Sequence, residues 1–383
     1  MKTIKLLIVL SIFLVTLCFN SCTKEAGLKE VDKLSAADCP RRSSLTAEKK
    51  ETLYTVKTYA GENYTSPDQP FSGDIIDGVL CKARFIRPYG IAINADGVIY
   101  IADQISNIRK INIKGEVSVF AGTTDGGGFD KGDQDGIGTQ ARFSNPDKLV
   151  LDKIGNQFLI DSEGSSIRKI SSLAKVSTLI SAFSREYGYK DGPLAQAKFN
   201  FYFICLAISS DGSIYLYEDS SLIRKISPEG IVSTYAGQIP INGQPQKGYQ
   251  DGPKENALFG GLSDMTFAPD GSLYLCDVGN KKIRRITSAG IVETVTSLTE
   301  PLPQVVHYSI AISDKGIVFI ANSTQVFRIN SDGIALVIAG SQISAHKDAI
   351  GTEARFRDLK QMAIYKNYLY LTDGSTVRRM NIE

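Results

Sequence analysis

An all-β fold built from six repeated four-stranded units is what the sequence predicts, and three observations predict it. The first is a phrase, Ile108-Arg109-Lys110-Ile111, that returns as Ile167-Arg168-Lys169-Ile170, Ile223-Arg224-Lys225-Ile226 and Ile283-Arg284-Arg285-Ile286. Degenerate copies follow at Val326-Phe327-Arg328-Ile329 and Val377-Arg378-Arg379-Met380. The second is a series of short apolar runs separated by turns, often Asp-Gly, as at Asp96-Gly97, Asp211-Gly212 and Asp270-Gly271. The third is a loop phrase in which an Asp precedes Ala-Arg-Phe or a close variant by six residues, at Asp77/Ala83, Asp135/Ala141, Asp191/Ala197, Asp251/Ala257 and Asp348/Ala354. Self-similarity at this period marks a repeat architecture, in which each unit buries its faces against its neighbours.

Within a unit the elements follow in order. The first strand is apolar with a small residue inside, as in Ile91-Ala92-Ile93 or Leu206-Ala207-Ile208. The Asp-Gly turn after it is a strong hairpin signal between apolar runs. The second strand ends on an acid or amide: Asp103, Asp161, Glu218, Asp277, Asn322 and Asp373. The Ile-Arg-Lys-Ile phrase is the third strand. The fourth is Val117 to Ala121 and its counterparts.

Six such meanders in series predict a β-propeller, with blades packed radially around a channel. The third strand of the sixth unit lies just before Glu383, and Val56 to Gly61 resembles the fourth strand Val232 to Gly237. An N-terminal strand is therefore expected to complete the last blade, closing the ring and covering an open sheet edge. Residues 54–383 divide into six blades of about 55 residues.

Residues 60–122 carry, in order, Ala-Gly, Asp-Gly, Ala-Arg-Phe, Pro, Gly-Ile-Ala, Val-Ile-Tyr-Ile-Ala-Asp, Asn-Ile-Arg-Lys-Ile and Val-Ser. This pattern resembles the NHL-repeat family of β-propellers over about residues 54–383, most faintly in blade five. The resemblance implies the fold. It is unspecific for activity, since such propellers host binding modules and a few enzymes.

The N-terminal part is of another kind. Lys2 and Lys5 precede a largely apolar run from Leu6 to Phe19, which has signal-peptide length. Ser21-Cys22 resembles a bacterial lipobox, so residues 1–21 are expected to be a signal peptide and Cys22 a lipidated anchor. Several acyl chains on one residue would hold the chain to a membrane durably. Residues 22–53, rich in Lys, Glu, Ser, Ala and Asp, read as a flexible tether. The expected location is the cell envelope, in the periplasm or at the outer-membrane surface. Without Lys2 and Lys5 the chain has 41 basic and 41 acidic residues, which argues against a nucleic-acid partner. A bridge between Cys39 and Cys81 is one pairing open to the exported cysteines, whereas Cys205 and Cys276 lie in apolar strand patterns.

Repeated residues are scaffold first. A buried arginine in the third strand needs an acidic or carbonyl partner. The acid closing the preceding strand is expected to pair with Arg109, Arg168, Arg224, Arg284, Arg328 or Arg378, and the loop phenylalanines to wedge between blades. The stretch Asp125, Asp130, Asp133 and Asp135 supplies hard oxygens, but not in the order of a known calcium loop.

Functional candidates are the residues that break the repeat. Those preceding each innermost strand should rim the channel on the face with the long loops: Tyr89, Asp147, Lys148, Ile204, Cys205, Ser263, Asp264, Tyr308, Lys360 and Gln361, with His307 adjacent. This polar and varied set suits a non-catalytic module that binds a protein, peptide or glycan. No cofactor is expected on that reading. The alternative is a metal-dependent hydrolase or lactonase of the six-bladed gluconolactonase type, with Asp147 and Asp264 as conceivable ligands of a divalent metal such as calcium. With only His307 and His346 in the chain, a multi-histidine zinc site is excluded and a Ser-His-Asp triad has little room.

Overall fold

The computed structural model describes residues 52–62, 75–104, 106–124, 131–161, 166–181, 187–200, 202–219, 221–241, 244, 246–298 and 308–383. The signal peptide, Cys22, Cys39 and the tether up to residue 51 lie outside them. Among the described residues no helix is long and apolar enough to cross a membrane.

The described chain forms six antiparallel sheets, each an up-and-down meander ordered from the channel outward. Blade 1 comprises Pro88–Ile93, Ile99–Asp103, Asn107–Ile111 and Glu116–Gly122; blade 2 comprises Leu149–Leu151, Gln157–Asp161, Ser166–Ile170 and Lys175–Ser181. Blade 3 is Phe203–Ile208, Ile214–Glu218, Ile223–Ile226 and Ile231–Ala236, and blade 4 is Leu262–Phe267, Leu273–Asp277, Lys282–Ile286 and Ile291–Ser297. Blade 5 is Ser309–Ile312, Val318–Ala321, Gln325–Ile329 and Ala335–Gly340. Blade 6 takes Leu359–Tyr365, Tyr368–Asp373 and Thr376–Asn381 from the end of the chain and Thr55–Ala60 from its beginning. Thr55–Ala60 pairs with Thr376–Asn381, with Val56 opposite Met380, as the ring-closure expectation required.

One detail adds to the four-stranded expectation. Five of the six sheets have a fifth, outermost strand of two residues: Gly78–Val79, Gly136–Ile137, Gly192–Pro193, Gly252–Pro253 and Ala349–Ile350. Each begins at or just after the Asp of the loop phrase. Blade 5 has four strands, and the connection leading into it lacks that phrase.

The loop phrase and the Ile-Arg-Lys-Ile phrase are two halves of one device. The side chains of Arg109, Arg168, Arg224, Arg284 and Arg378 are fully buried. Each meets the loop Asp: Arg109–Asp77 at 2.6 Å, Arg168–Asp135 at 3.0 Å, Arg224–Asp191 at 2.6 Å, Arg284–Asp251 at 2.6 Å and Arg378–Asp348 at 2.7 Å. The expected strand-end acid is a second partner in four blades: Asp161 (3.1 Å), Glu218 (2.7 Å), Asp277 (3.1 Å) and Asp373 (2.7 Å). In blade 1 Asp103 accepts the backbone N–H groups of Ile86 and Arg87 at 3.0 and 2.7 Å, with Arg109 near enough to attract it. Each guanidinium also lies over the loop phenylalanine, as Arg109 does over Phe85 at 5.2 Å from the ring centre. A charge held this way is compensated by acids and carbonyls at its terminal nitrogens, which is the condition for burying it, although the Nε of Arg109, Arg168, Arg224 and Arg378 has no partner.

Blade 5 departs from the plan, and here the expectation for Arg328 was wrong. Arg109 pairs with Val119 just after a bulge, and the residue in the same register is Phe327, which pairs with Val337. Phe327 is buried and Arg328 points outward, half-buried, its Nη1 3.4 Å from the Tyr54 hydroxyl. Arginine, strand-end acid (Asn322 here) and loop Asp are absent together, so no buried charge is left alone.

The apolar core lies between blades, in six clusters. Blades 1 and 2, for instance, share Ala102, Ile108, Phe143, Leu149, Leu159 and Ile170. Burying one such large side chain contributes about 1.5–3 kcal/mol.

Candidate functional site

The innermost strands begin at the face bearing the long connections, and their first residues converge on the axis. Gly90 shows how closely: a Cβ there would collide with the carbonyl oxygen of Asp147 on the next blade. Only glycine permits this approach.

Five of the predicted rim residues tie blades together. Lys148 of blade 2 reaches Asp264 of blade 4, Nζ to Oδ2 at 2.9 Å, with both side chains buried. Asp264 also accepts the backbone N–H groups of Met265 (2.9 Å) and Ile310 (3.0 Å). Burial works against the Lys148 charge, but Asp264 and, less strongly, Asp147 together offset it and leave the ammonium pKa above its ordinary value. Gln361 of blade 6 spans two other blades. Its Oε1 accepts from the N–H of Ile91 (3.1 Å) and of Leu149 (3.4 Å), and its Nε2 donates to the Leu149 carbonyl (3.2 Å). Ser263 and Tyr308 join blades 4 and 5: the serine hydroxyl donates to the Tyr308 carbonyl at 2.8 Å and accepts its N–H at 3.1 Å. These bonds leave the inner ends of the blades lined with bonded polar groups.

Tyr89, Asp147 and Lys360 are arranged differently. The Lys360 Nζ lies 2.9 Å from Asp358 and 5.6 Å from the centre of the Tyr89 ring. Burial, reinforced by Asp147 and Asp264, pushes the Tyr89 hydroxyl well above the usual phenol range. Asp147 keeps part of its surface exposed, yet its Oδ1 is sealed from solvent and has no hydrogen-bond partner. Burial raises its carboxyl to about 7, against the pull of Lys148 and Lys360 and with the help of Asp264. An orphaned carboxylate oxygen in such a place lacks a donor, and leaving it so costs about 1–3 kcal/mol or more.

At Asp264 the geometry does not suit a divalent metal. The Lys148 ammonium already stands where a cation on Asp264 would sit. Among the described residues no three His, Cys, Asp or Glu side chains converge as a ligand set. Asp135 of the acidic stretch is committed to Arg168, while Asp125 and Asp130 lie outside the described residues. So does His307. Ile204 is half-buried at the start of blade 3, and Cys205 beside it is a free, fully buried thiol, as is Cys276. Cys81 is disulfide-bonded, and Cys39, one partner open to it, lies outside the described residues. Sequence reasoning missed Asp358, which anchors Lys360, and Thr372, whose hydroxyl donates to the Tyr89 carbonyl at 2.7 Å. Their position beside the rim strands was the only available signal.

No family model matches the chain. Among curated proteins it is similar to teneurin-3 of Danio rerio (26% identical over 279 residues, 66% of this chain) and of Mus musculus (27% over 268 residues, 64% of this chain). The chain spans about a tenth of the length of these relatives. Among solved structures it is similar to an auxiliary nutrient binding protein from Bacteroides ovatus, with a TM-score of 0.59 at 14% identity, covering 86% of this chain and 77% of that one. A second auxiliary nutrient binding protein, from Bacteroides thetaiotaomicron, gives 0.58 at 11% identity, covering 85% and 76%. Virginiamycin B lyase from Staphylococcus aureus gives 0.50 at 14% identity, covering 78% and 95%. At these identities the likeness concerns architecture, and the chain is a six-bladed, all-β propeller.

Proposed function

We propose that the protein is an exported binding module of the NHL type, tethered through a lipidated Cys22, that takes a peptide or glycan, free or on a protein surface, at the channel mouth. The observation that carries this reading is the buried, unpartnered Oδ1 of Asp147 beside Tyr89 and Lys360. When the partly exposed Asp147 carboxyl turns toward the mouth, a hydroxyl or N–H of the ligand supplies the missing donor, and the largely buried Tyr89 ring backs the site. The bonds of Lys148, Asp264, Gln361 and Ser263 make the floor rigid, which lowers the cost of ordering the site. The two nutrient-binding propellers are built on the same architecture, which agrees with a binding role.

A screen of glycans and peptides against the purified protein tests the proposal. A hit should weaken at least tenfold in Asp147→Asn and in Tyr89→Ala. A hit indifferent to both would remove the site from the channel mouth. A stoichiometric divalent ion lost on Asp147→Ala or Asp264→Ala would favour the hydrolase reading instead. Anchorage is tested separately: Cys22→Ala should leave the membrane fraction, and retention there would refute the lipid anchor.

A further inference from the structure

A cleft of about 400 Å³ opens between blades 2 and 3, lined by Phe158, Leu179, Leu194, Ile214 and Ile226 and rimmed by Lys169 and the turns Asp152–Asn156, Ser210–Gly212 and Ser227–Gly230. It lies at the far end of the innermost strand from Asp147, so it is separate from the channel mouth and does not depend on the function proposed there. Its volume falls within the range of small-ligand sites, roughly 300–1,000 Å³.

The repeat shows what the cleft lacks. In every blade the fourth strand carries one extra residue at a bulge opposite the third strand. In blades 1, 3 and 6 that residue is aromatic and meets an aromatic of the second strand edge to face. The pairs are Phe120 with Tyr100 at 5.1 Å, Tyr235 with Tyr215 at 4.8 Å and Tyr59 with Tyr370 at 5.1 Å. Blades 2, 4 and 5 keep the second-strand aromatic (Phe158, Tyr274 and Phe319) but have an aliphatic residue at the bulge, Leu179, Val295 and Ile338, and in blade 2 this coincides with the cleft. A ring's place beside Phe158 is left to a smaller, shorter side chain. The cation of the repeat is also retained. In blade 1 the Lys110 ammonium lies over the Phe120 ring at 5.6 Å. In blade 2 the equivalent Lys169 lies over the second-strand ring Phe158 at 5.5 Å, as Lys225 does over Tyr215 in blade 3 at 5.7 Å, beside the bulge position.

From this we infer that the cleft between blades 2 and 3 binds an electron-rich aromatic ring, which takes the position that Phe120, Tyr235 and Tyr59 fill in their own blades. Edge-to-face contact with Phe158 and a cation–π contact with Lys169 hold it, and Leu194, Ile214 and Ile226 enclose its apolar edge. The acids at the rim do not compete for Lys169. Asp152 binds the backbone N–H groups of Ile154 and Asn156, and Asp211 is bound to Ser209 and Ser213 within its own turn.

The chain contains no tryptophan, so the fluorescence of an indole ligand is read without background. N-acetyltryptophanamide titrated with the full purified chain should show a saturable blue shift. Leu179→Phe, which supplies the ring from within as blade 1 does, should weaken binding at least tenfold, with thermal stability equal to or above that of the parent. Lys169→Gln, on the rim and outside the core, should weaken it severalfold. The absence of saturable binding overturns the inference. So does binding unchanged in Lys169→Gln and in a folded Leu179→Phe. The source of the ring is read by comparing the amide with a decapeptide containing one central tryptophan. Equal affinities identify a free aromatic compound, tighter peptide binding identifies an aromatic side chain of a partner, and either result supports the cleft.

Discussion

Asp348 accepts hydrogen bonds from both the backbone N–H and the hydroxyl of Thr58, each at 3.0 Å, across 290 residues of sequence. Asp348 lies in the loop leading into blade 6, and Thr58 on the N-terminal strand that completes that blade. The same carboxylate holds Arg378 at 2.7 Å. One residue therefore secures a buried cation and the closure of the ring.

Asp348→Ala should lower stability by about 2–3 kcal/mol, the scale of losing hydrogen bonds to a charged group while Asp373 still partners the arginine. The loss should fall mainly on the ring joint. Amide exchange should accelerate in Thr55–Ala60 before it does in blades 2 to 4, and uniform acceleration would contradict this view of the joint.

How far the sequence reveals this depends on range. Turn chemistry and apolar runs are local signals, so the blades, their number and the closing strand Thr55–Ala60 were legible. The Arg–Asp pairs join residues 30 to 33 positions apart, as in Arg109 with Asp77, and no local pattern links them. A clue was still present, since the loop Asp and the arginine disappear together at blade 5. The two-residue fifth strands are too short to show any alternation. Arg328 was misplaced because it stands one residue out of register with Arg109, and a slip of one residue turns a side chain to the other face of a sheet. At the channel, residue identity marked Tyr89 and Asp147 as unusual. Only the fold shows that Lys148, Asp264 and Gln361 are consumed in bonds between blades.

Blade 5 allows the pairing logic to be tested by transplantation. Phe327→Arg buries a guanidinium where Asn322 stands in place of an acid and the loop Asp is missing. It should cost about 3–5 kcal/mol, the penalty of an uncompensated buried charge. Adding Asn322→Asp should recover part of it, read as a favourable coupling in a double-mutant cycle from denaturant unfolding. Additive effects would mean that the two positions do not meet.

His346 sits at the ring joint, its Nε2 2.9 Å from the Thr58 hydroxyl. Burial, aided by the Arg378 charge, lowers its pKa to about 4. Between pH 6.5 and 4 the unfolded chain takes up a proton there that the folded chain refuses. Stability from this residue is complete above pH 6.5 and is lost as the pH falls, by up to about 3 kcal/mol. His346→Gln should flatten the fall in melting temperature over this window, and an unchanged slope would exclude His346 as its source.

Asp147 has the opposite sign. Its carboxyl titrates near 7 in the folded protein, so from about pH 4 to 7 the folded chain holds a proton that the unfolded chain has released. Stability from this group is therefore highest at low pH and declines as the pH rises through 7. Asp147→Asn should match the parent near pH 4 and exceed it above pH 7. Binding should show the reverse trend, because a ligand that donates to Oδ1 prefers the ionised carboxylate. The ionised fraction rises about tenfold between pH 6 and 8 for a group titrating near 7, and affinity for any ligand of the channel mouth should rise by the same factor. Calorimetric titration at the two pH values, in the parent and in Asp147→Asn, measures this directly. A pH-independent affinity in the parent would mean that the ligand does not engage this oxygen.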